Sequence, residues 1–277
     1  MTKLADIPVN NIPNGEDVWN GIGNFRTLSQ VIYEFMDDSI SNLRGNAENP
    51  LLDRRIRIRL EHCKDYVDIT ITDGGTVVNF HCPWAMFTPL NAKEKNSRKK
   101  RVSFPDLVAI LEEDLRYTYS AILMAGNAEI EVSALDTDSE KPVVHTLKPL
   151  TPVWVDGTMV ELPPAHIKLD EVNPVLVPCR YGLIENHPEA RFRYKRNSRT
   201  AGAEISIQGR VVESGILTDI WGANAHNSHN GFLVQVNLDA ENGDFLPPTQ
   251  SAKTEFRRSA LQLPSRNVAG GRDPCPL

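Results

Sequence analysis

The sequence predicts an α+β fold, in which helices with one apolar stripe accompany short strands of alternating polarity. In residues 27–43, apolar side chains recur at three- and four-residue spacing, which is typical of a helix with one buried face. Segments 56–60 (IRIRL) and 67–72 (VDITIT) alternate apolar and polar residues, as half-buried strands do. The second strand ends in Asp-Gly-Gly at positions 73–75, a combination that favours a turn.

The rest of the chain divides at the proline-rich stretch 162–178, which is typical of a domain boundary. We therefore predict a first domain over residues 1–165, a second over 166–264 and a disordered tail over 265–277. Further elements are predicted from the same periodicities: helices at 105–125 and 253–263, and strands at 128–135, 157–162, 191–195, 203–212, 215–221 and 231–238.

The composition indicates a folded protein with an acidic average surface. Hydrophobic residues make up 40% of the 277 residues, which is enough for a core and argues against wholesale disorder. The net charge of −6 argues against a nucleic-acid binder that uses its whole surface, but it allows a local basic face. Without an 18-residue apolar run or a secretion signal, the chain is expected to be cytoplasmic, or nuclear in a eukaryote.

Two carboxylates share one face of the first predicted helix. Glu34 and Asp38 are four residues apart and therefore one turn apart, and Asp37 lies about 100° round the helix from Asp38. Taken alone, these residues fit the solvated side of an amphipathic helix, and the Asp-Gly-Gly at 73–75 fits an ordinary turn. The order of the helix motif and the Asp-Gly-Gly turn along the chain is a more specific indication of function than either motif alone.

The helix E-x-x-D-D-S at 34–39, the strand ending in D-G-G at 73–75 and the late Gly157-Thr158 resemble the motifs of the GHKL ATPases. This family includes gyrase B, the MutL repair proteins, heat-shock clamp chaperones, histidine kinases and MORC ATPases. The resemblance implies a two-layer sandwich with helices on one face of a mixed sheet. It also implies that ATP binds together with Mg²⁺.

The resemblance assigns a role to each carboxylate. Glu34 takes the place of the general base that accepts a proton from the attacking water. Asp38 stands where the family has an asparagine that binds Mg²⁺, and a carboxylate oxygen is also a ligand that this hard cation accepts. Asp37 is counted with the nucleotide-binding residues.

The strand-end motif is expected to hold the adenine. Asp73 would accept a hydrogen bond from the adenine amino group, and Gly75 would let the backbone approach the base closely. Thr158 would support the same contact through a water molecule.

The second half carries its own resemblance to these proteins. The segment 204–214 (EISIQGRVVES) is similar to the strand and turn of the transducer domain, which has a ribosomal-protein-like β-α-β fold. The segment 245–261 resembles the MORC-type stretch in which a lysine reaches the γ-phosphate. Lys253 is the matching residue, with Gln250 as its polar neighbour.

The chain departs from the family where the glycine-rich lid segment belongs. The corresponding residues 111–126 hold one glycine, Gly126, at their far end, and Arg116 is a candidate for a side-chain contact to phosphate instead. Two basic stretches, 93–101 (KEKNSRKKR) and 191–199 (RFRYKRNSR), fit either solvated surface or contacts to DNA phosphates or an acidic partner.

Two functions therefore follow from the sequence. The first is an ATP-binding and ATP-hydrolysing switch or clamp, with MORC-like or repair-like proteins as the nearest type. In it, nucleotide binding would bring two N-terminal halves together as a homodimer and engage DNA or a protein partner. The alternative is a non-catalytic scaffold of the same fold that binds a protein or nucleic acid, which the missing glycines and Asp38 favour.

Overall fold

A computed structural model describes residues 28–45, 53–84, 103–168, 174–198, 200–215 and 226–239. The helices are α1 (Leu28–Gly45), α2 (Phe104–Thr118) and α3 (Ser120–Met124), with one 3₁₀ turn at Asn227–His229. The strands are β1 (Arg55–His62), β2 (Tyr66–Thr72), β3 (Val77–Pro83), β4 (Glu129–Leu135), β5 (Val143–Thr146), β6 (Val160–Lys168), β7 (Pro174–Leu183), β8 (Gly202–Ile207), β9 (Arg210–Gly215) and β10 (Phe232–Leu238). No helix in this described part is long and apolar enough to cross a membrane.

The strands form two mixed sheets of five. Sheet 1 has the order β3-β2-β1-β4-β5, and only its central pair, β1 with β4, is parallel. Sheet 2 has the order β6-β7-β10-β8-β9, with β10 and β8 as its parallel pair. The α+β class predicted from the sequence is therefore confirmed.

Helices α1 and α2 cover one face of sheet 1. Every second residue of the strands points into this layer, as the two-residue strand period requires. The core joins apolar residues from both layers: Ile32, Met36, Ile40 and Leu43 of α1, Val108, Leu111 and Leu115 of α2, Ile56, Ile58 and Leu60 of β1, Val67, Ile69 and Ile71 of β2, and Ile130 and Val132 of β4.

A second, smaller core joins α2 to sheet 2. Tyr117 of α2 packs there with Leu150, Ile184, Tyr194 and Leu233. Helix α2 therefore contributes to both cores and lies between the two halves of the chain.

The local periodicities of the sequence correspond to α1, β1, β2, β4 and β10 within two residues. The predicted helix 105–125 breaks at Tyr119, whose φ of −108° and ψ of 20° separate α2 from α3. The predicted strand 203–212 is a hairpin, because Gln208 and Gly209 both have positive φ, as a two-residue turn between antiparallel strands requires. Strands β3, β5 and β7 were missed.

Residues 191–195 form no strand, contrary to the alternation of RFRYK. The backbone N–H groups of Arg191, Phe192 and Arg193 donate to the Glu113 carboxylate at 2.6, 2.7 and 2.7 Å, so they are not available to a sheet ladder. Arg193 also pairs with Asp114 at 3.0 Å and lies over the ring of Tyr117. This segment fixes the second half to α2.

Sheet 1 ends with β5 and sheet 2 begins with β6. The predicted domain boundary at 165/166 therefore falls inside β6, the first strand of sheet 2. The strand predicted at 157–162 begins at Val160, after a turn in which Gly157 has a φ of +73°. The basic stretch 93–101, the segment 216–221 of a predicted strand, the predicted helix 253–263 and the tail lie outside the described residues.

Glu113→Ala tests the attachment of the loop to α2. The substitution leaves three backbone N–H groups without their acceptor, so we expect the free energy of unfolding to fall by about 2 kcal/mol or more in denaturant titration. Glu140→Ala, at an exposed turn position, is the matched control and is expected to change it by less than about 0.5 kcal/mol. Equal effects of the two substitutions would contradict the assignment.

Candidate functional site

A buried ion pair connects the helix motif to the second half of the chain. The Asp37 Oδ2 atom lies 2.8 Å from Arg210 Nη1, and the two side chains are only 11% and 10% exposed. The hydroxyl of Tyr119 donates to Asp37 Oδ1 at 2.9 Å. Burial and the charge of Asp37 hold the pKa of Tyr119 well above its usual value, so the hydroxyl stays protonated and donates.

The β8–β9 turn places Arg210 against α1. Arg210 directly follows the positive-φ pair Gln208-Gly209, and the carbonyl oxygen of Gln208 accepts from Arg44 Nη2 at 2.6 Å. A Cβ atom added to Gly209 would lie 3.3 Å from the Cβ of Ala121 on α3. The turn therefore needs glycine both for its backbone conformation and for its close approach to α3.

The Asp-Gly-Gly turn also contacts α1. Asp73 Oδ1 accepts from the backbone N–H groups of Gly75 at 3.0 Å and Thr76 at 2.7 Å, and the Asp73 carboxylate also bonds the side chain of Ser39. Burial alone would raise the pKa of Asp73, but these three hydrogen bonds outweigh it and hold the pKa below its usual value. The turn between β2 and β3 is thus anchored to the helix motif.

The two other carboxylates of the helix motif precede Ser39 on α1. Asp38, next to Ser39 in the chain, is exposed, and Glu34 is half-buried one helical turn earlier. An exposed carboxylate such as Asp38 can coordinate Mg²⁺. Asp73 uses three of its about four acceptor positions, which leaves one for an amino group of a ligand.

Two residues that were predicted to bind the nucleotide, Asp37 and Thr158, are engaged in contacts within the protein. Asp37 is engaged by Arg210 and Tyr119, so its carboxylate serves the contact between the halves. Thr158 lies in the turn before β6, where its hydroxyl donates to the Val155 carbonyl at 2.8 Å and accepts from the Leu183 N–H at 3.2 Å. Thr158 is therefore held on sheet 2, whereas Asp73 belongs to sheet 1.

Lys253 and Gln250 lie outside the described residues. Arg116, a candidate phosphate contact in the sequence, donates instead to the Lys148 carbonyl at 2.9 Å and to Glu189 at 2.8 Å. Among the described residues, no three His, Cys, Asp or Glu side chains are grouped so that they could hold a metal ion.

Sequence reasoning missed Arg210, although the Gln-Gly pair before it is a recognisable turn signal. It also missed Tyr119 and Glu113, and no local pattern marks either one, because their partners are distant in the chain.

No protein-family model matches this chain, and no curated protein sequence matches it either. The chain is similar to a solved structure, the N-terminal domain of a DNA repair protein, with 12% identity, a TM-score of 0.40 and coverage of 86% of this chain and 91% of that one. A likeness this slight carries no argument about function.

Removing Asp37 tests the ion pair. We expect Asp37→Ala to lower the free energy of unfolding by about 3–5 kcal/mol, because Arg210 would remain buried without a counter-charge. The double variant Asp37→Ala/Arg210→Met should recover much of that loss in denaturant titration.

Asp53→Ala provides the matched control, since Asp53 forms an exposed pair with Arg57 at 3.1 Å. Its removal is expected to cost about 1 kcal/mol or less. A double variant as unstable as the single one would show that Asp37 and Arg210 do not act as a pair.

The lowered pKa of Asp73 makes its contribution to stability depend on pH. A carboxyl whose folded pKa is depressed stabilises the fold above the unfolded pKa of about 3.9, and this contribution is lost as pH falls through the folded value. The stability difference between the parent and Asp73→Asn should therefore be largest near neutral pH and shrink below about pH 4. A gap that stays constant down to about pH 2.5 would contradict the role of the charge.

Proposed function

We propose that the chain is an ATP-binding switch of the GHKL type, with Mg·ATP held between α1 and the turn that follows β2. The observation that carries the proposal is the position of α1. Its Ser39 bonds Asp73 of the β2–β3 turn, and its Asp37 pairs with Arg210 of the second half. A nucleotide bound against α1 would therefore contact the same helix that Arg210 of the second half contacts.

Each carboxylate has a separate task in the proposal. Glu34, half-buried on the same helix face as Asp38, accepts the proton of the water that attacks the γ-phosphate. Asp38 offers an exposed oxygen to the Mg²⁺ ion, which when bound neutralises phosphate charge. Asp73 accepts the hydrogen bond of the adenine amino group beside Gly75.

The finer fold assignment belongs to the same proposal. Sheet 1 with α1 and α2 would be the ATP-binding sandwich, and sheet 2 the transducer-like domain. Lys253 would contact the γ-phosphate, so that hydrolysis removes a link between the halves. A homodimer through the N-terminal half, DNA or a protein as partner, and a cytoplasmic or nuclear location complete the proposal.

The second candidate is a scaffold of this fold that does not hydrolyse ATP. Its specific support is the segment 111–126, which runs through the second half of α2 and through α3, where the family has its glycine-rich phosphate loop. Arg116 in this segment is already engaged by Glu189 and by the Lys148 carbonyl. Neither feature offers the backbone N–H groups that wrap phosphates.

Thermal melting separates the two candidates. With Mg²⁺ and a non-hydrolysable ATP analogue, the switch should melt several degrees higher than without them, because a ligand of the folded state raises its stability. The same shift should be lost in Asp73→Asn. No shift at saturating analogue would favour the scaffold.

Glu34→Ala tests the assignment of the base. We expect ATP turnover to fall by at least about a hundredfold, while the thermal shift with the analogue stays near that of the parent, because a general base acts on the reaction and not on binding. Glu140→Ala is the control with an exposed glutamate and should hydrolyse ATP at the parent rate. Unchanged turnover in Glu34→Ala would refute the role of Glu34.

A further inference from the structure

A row of polar side chains crosses all five strands of sheet 2. Strand pairing places Glu161 of β6 opposite Arg180 of β7, Arg180 opposite Gln235 of β10, Gln235 opposite Glu204 of β8, and Glu204 opposite Ser214 of β9. Directly opposite residues lie on the same face of a sheet. The face of sheet 2 that carries this row therefore bears charged side chains. Sheet faces that pack against helices usually bear apolar residues instead.

The row is internally hydrogen-bonded. Arg180 Nε donates to Gln235 Oε1 at 2.6 Å, Gln235 donates onward to Glu204, and the Tyr194 hydroxyl donates to Glu204 Oε2 at 2.9 Å. Burial raises the pKa of Glu204, although hydrogen bonds from Gln235, Tyr194 and Tyr117 oppose it. Glu204 is therefore held by its protein partners and is only 6% exposed.

A cavity of about 190 Å³ lies above this row. Its lining includes Ser120 and Met124 of α3 and the loop residues Thr151 and Pro152. At about 30 Å³ per water molecule, it has room for about six waters or one small organic molecule.

Hydrogen-bond donors line the cavity beside the exposed carboxylate of Glu161. In the described part of the chain, Arg180 hydrogen-bonds through Nε to Gln235, and its guanidinium carbon lies 6.0 Å from the centroid of the Trp154 ring. Its two terminal NH₂ groups have no hydrogen-bond partner among the described residues. Asn237 uses its amide oxygen for Ser206 and Gly209, which leaves its NH₂ group available. The Ser120 hydroxyl is a further donor at the same cavity.

We propose that this cavity binds a small organic carboxylate, whose two oxygens face the terminal nitrogens of Arg180 while Asn237 and Ser120 donate beside them. The planar guanidinium matches a carboxylate in two parallel hydrogen bonds. Phosphate has similar chemistry, but its second negative charge is disfavoured by Glu161, directly across from Arg180, and by the nearby Glu204. The site is independent of the nucleotide proposed at α1.

Calorimetric titration of the full chain with acetate, propionate, succinate and inorganic phosphate tests the site, with chloride as the ionic-strength control. We expect saturable binding of at least one carboxylate. Affinity should fall at least about tenfold in Arg180→Met and partly in Arg180→Lys, which keeps the charge but not the planar fork. Glu161→Gln should bind at least as tightly as the parent, because it removes a like charge.

Two further variants keep the result interpretable if Arg180→Met unfolds. Met124→Trp changes a 60% exposed residue of α3 at the cavity and should block binding without removing any charge. Arg59→Met removes an exposed arginine of sheet 1, paired with Glu61, and should leave binding unchanged. Saturable binding of phosphate alone, no saturable binding of any probe, or parental affinity in Met124→Trp would each overturn the proposal.

Discussion

The ion pair between Asp37 and Arg210 is the contact on which the arrangement of the two halves depends. Both side chains are about nine-tenths buried, so each charge has lost most of its hydration and is tolerated only because the other lies 2.8 Å away. Arg44 binds the carbonyl of Gln208 in the same β8–β9 turn, so α1 meets this hairpin at two points, nearly two turns of helix apart. These two contacts restrict both the rotation and the sliding of the hairpin along the helix.

Helix α2 provides the second constraint between the halves. Leu111 and Leu115 pack into the core of sheet 1, whereas Tyr117 packs into the core of sheet 2. Glu113 lies on the same helix and accepts three consecutive backbone N–H groups from the other half. Burial of apolar side chains is not directional and does not by itself fix the position of the loop. The hydrogen bonds to the Glu113 carboxylate are directional and do fix it.

The parts of the fold that the sequence predicted are those whose pattern is local. Helix α1 and strands β1 and β2 follow from periodicity, because each buries one face along its own length. The loop at 191–195 was mistaken for a strand, since its acceptor, Glu113, is about 80 residues away in the chain. In the site, resemblance grouped Glu34, Asp38 and Asp73, but it could not show that Asp37 is committed to an arginine some 170 residues later.

The β8–β9 hairpin links the two proposed sites physically. Arg210 contacts the helix that carries Glu34 and Asp38, while Gly209 and Ser206 line the cavity above the polar row. Asn237 accepts from both Ser206 and the Gly209 N–H, so the turn and the cavity floor share one hydrogen-bonded unit. Because Gly209 is closely packed against α3, the turn cannot move toward that helix without displacing it. The hairpin is therefore the element that contacts α1 through Arg210 and lines the cavity through Ser206 and Gly209.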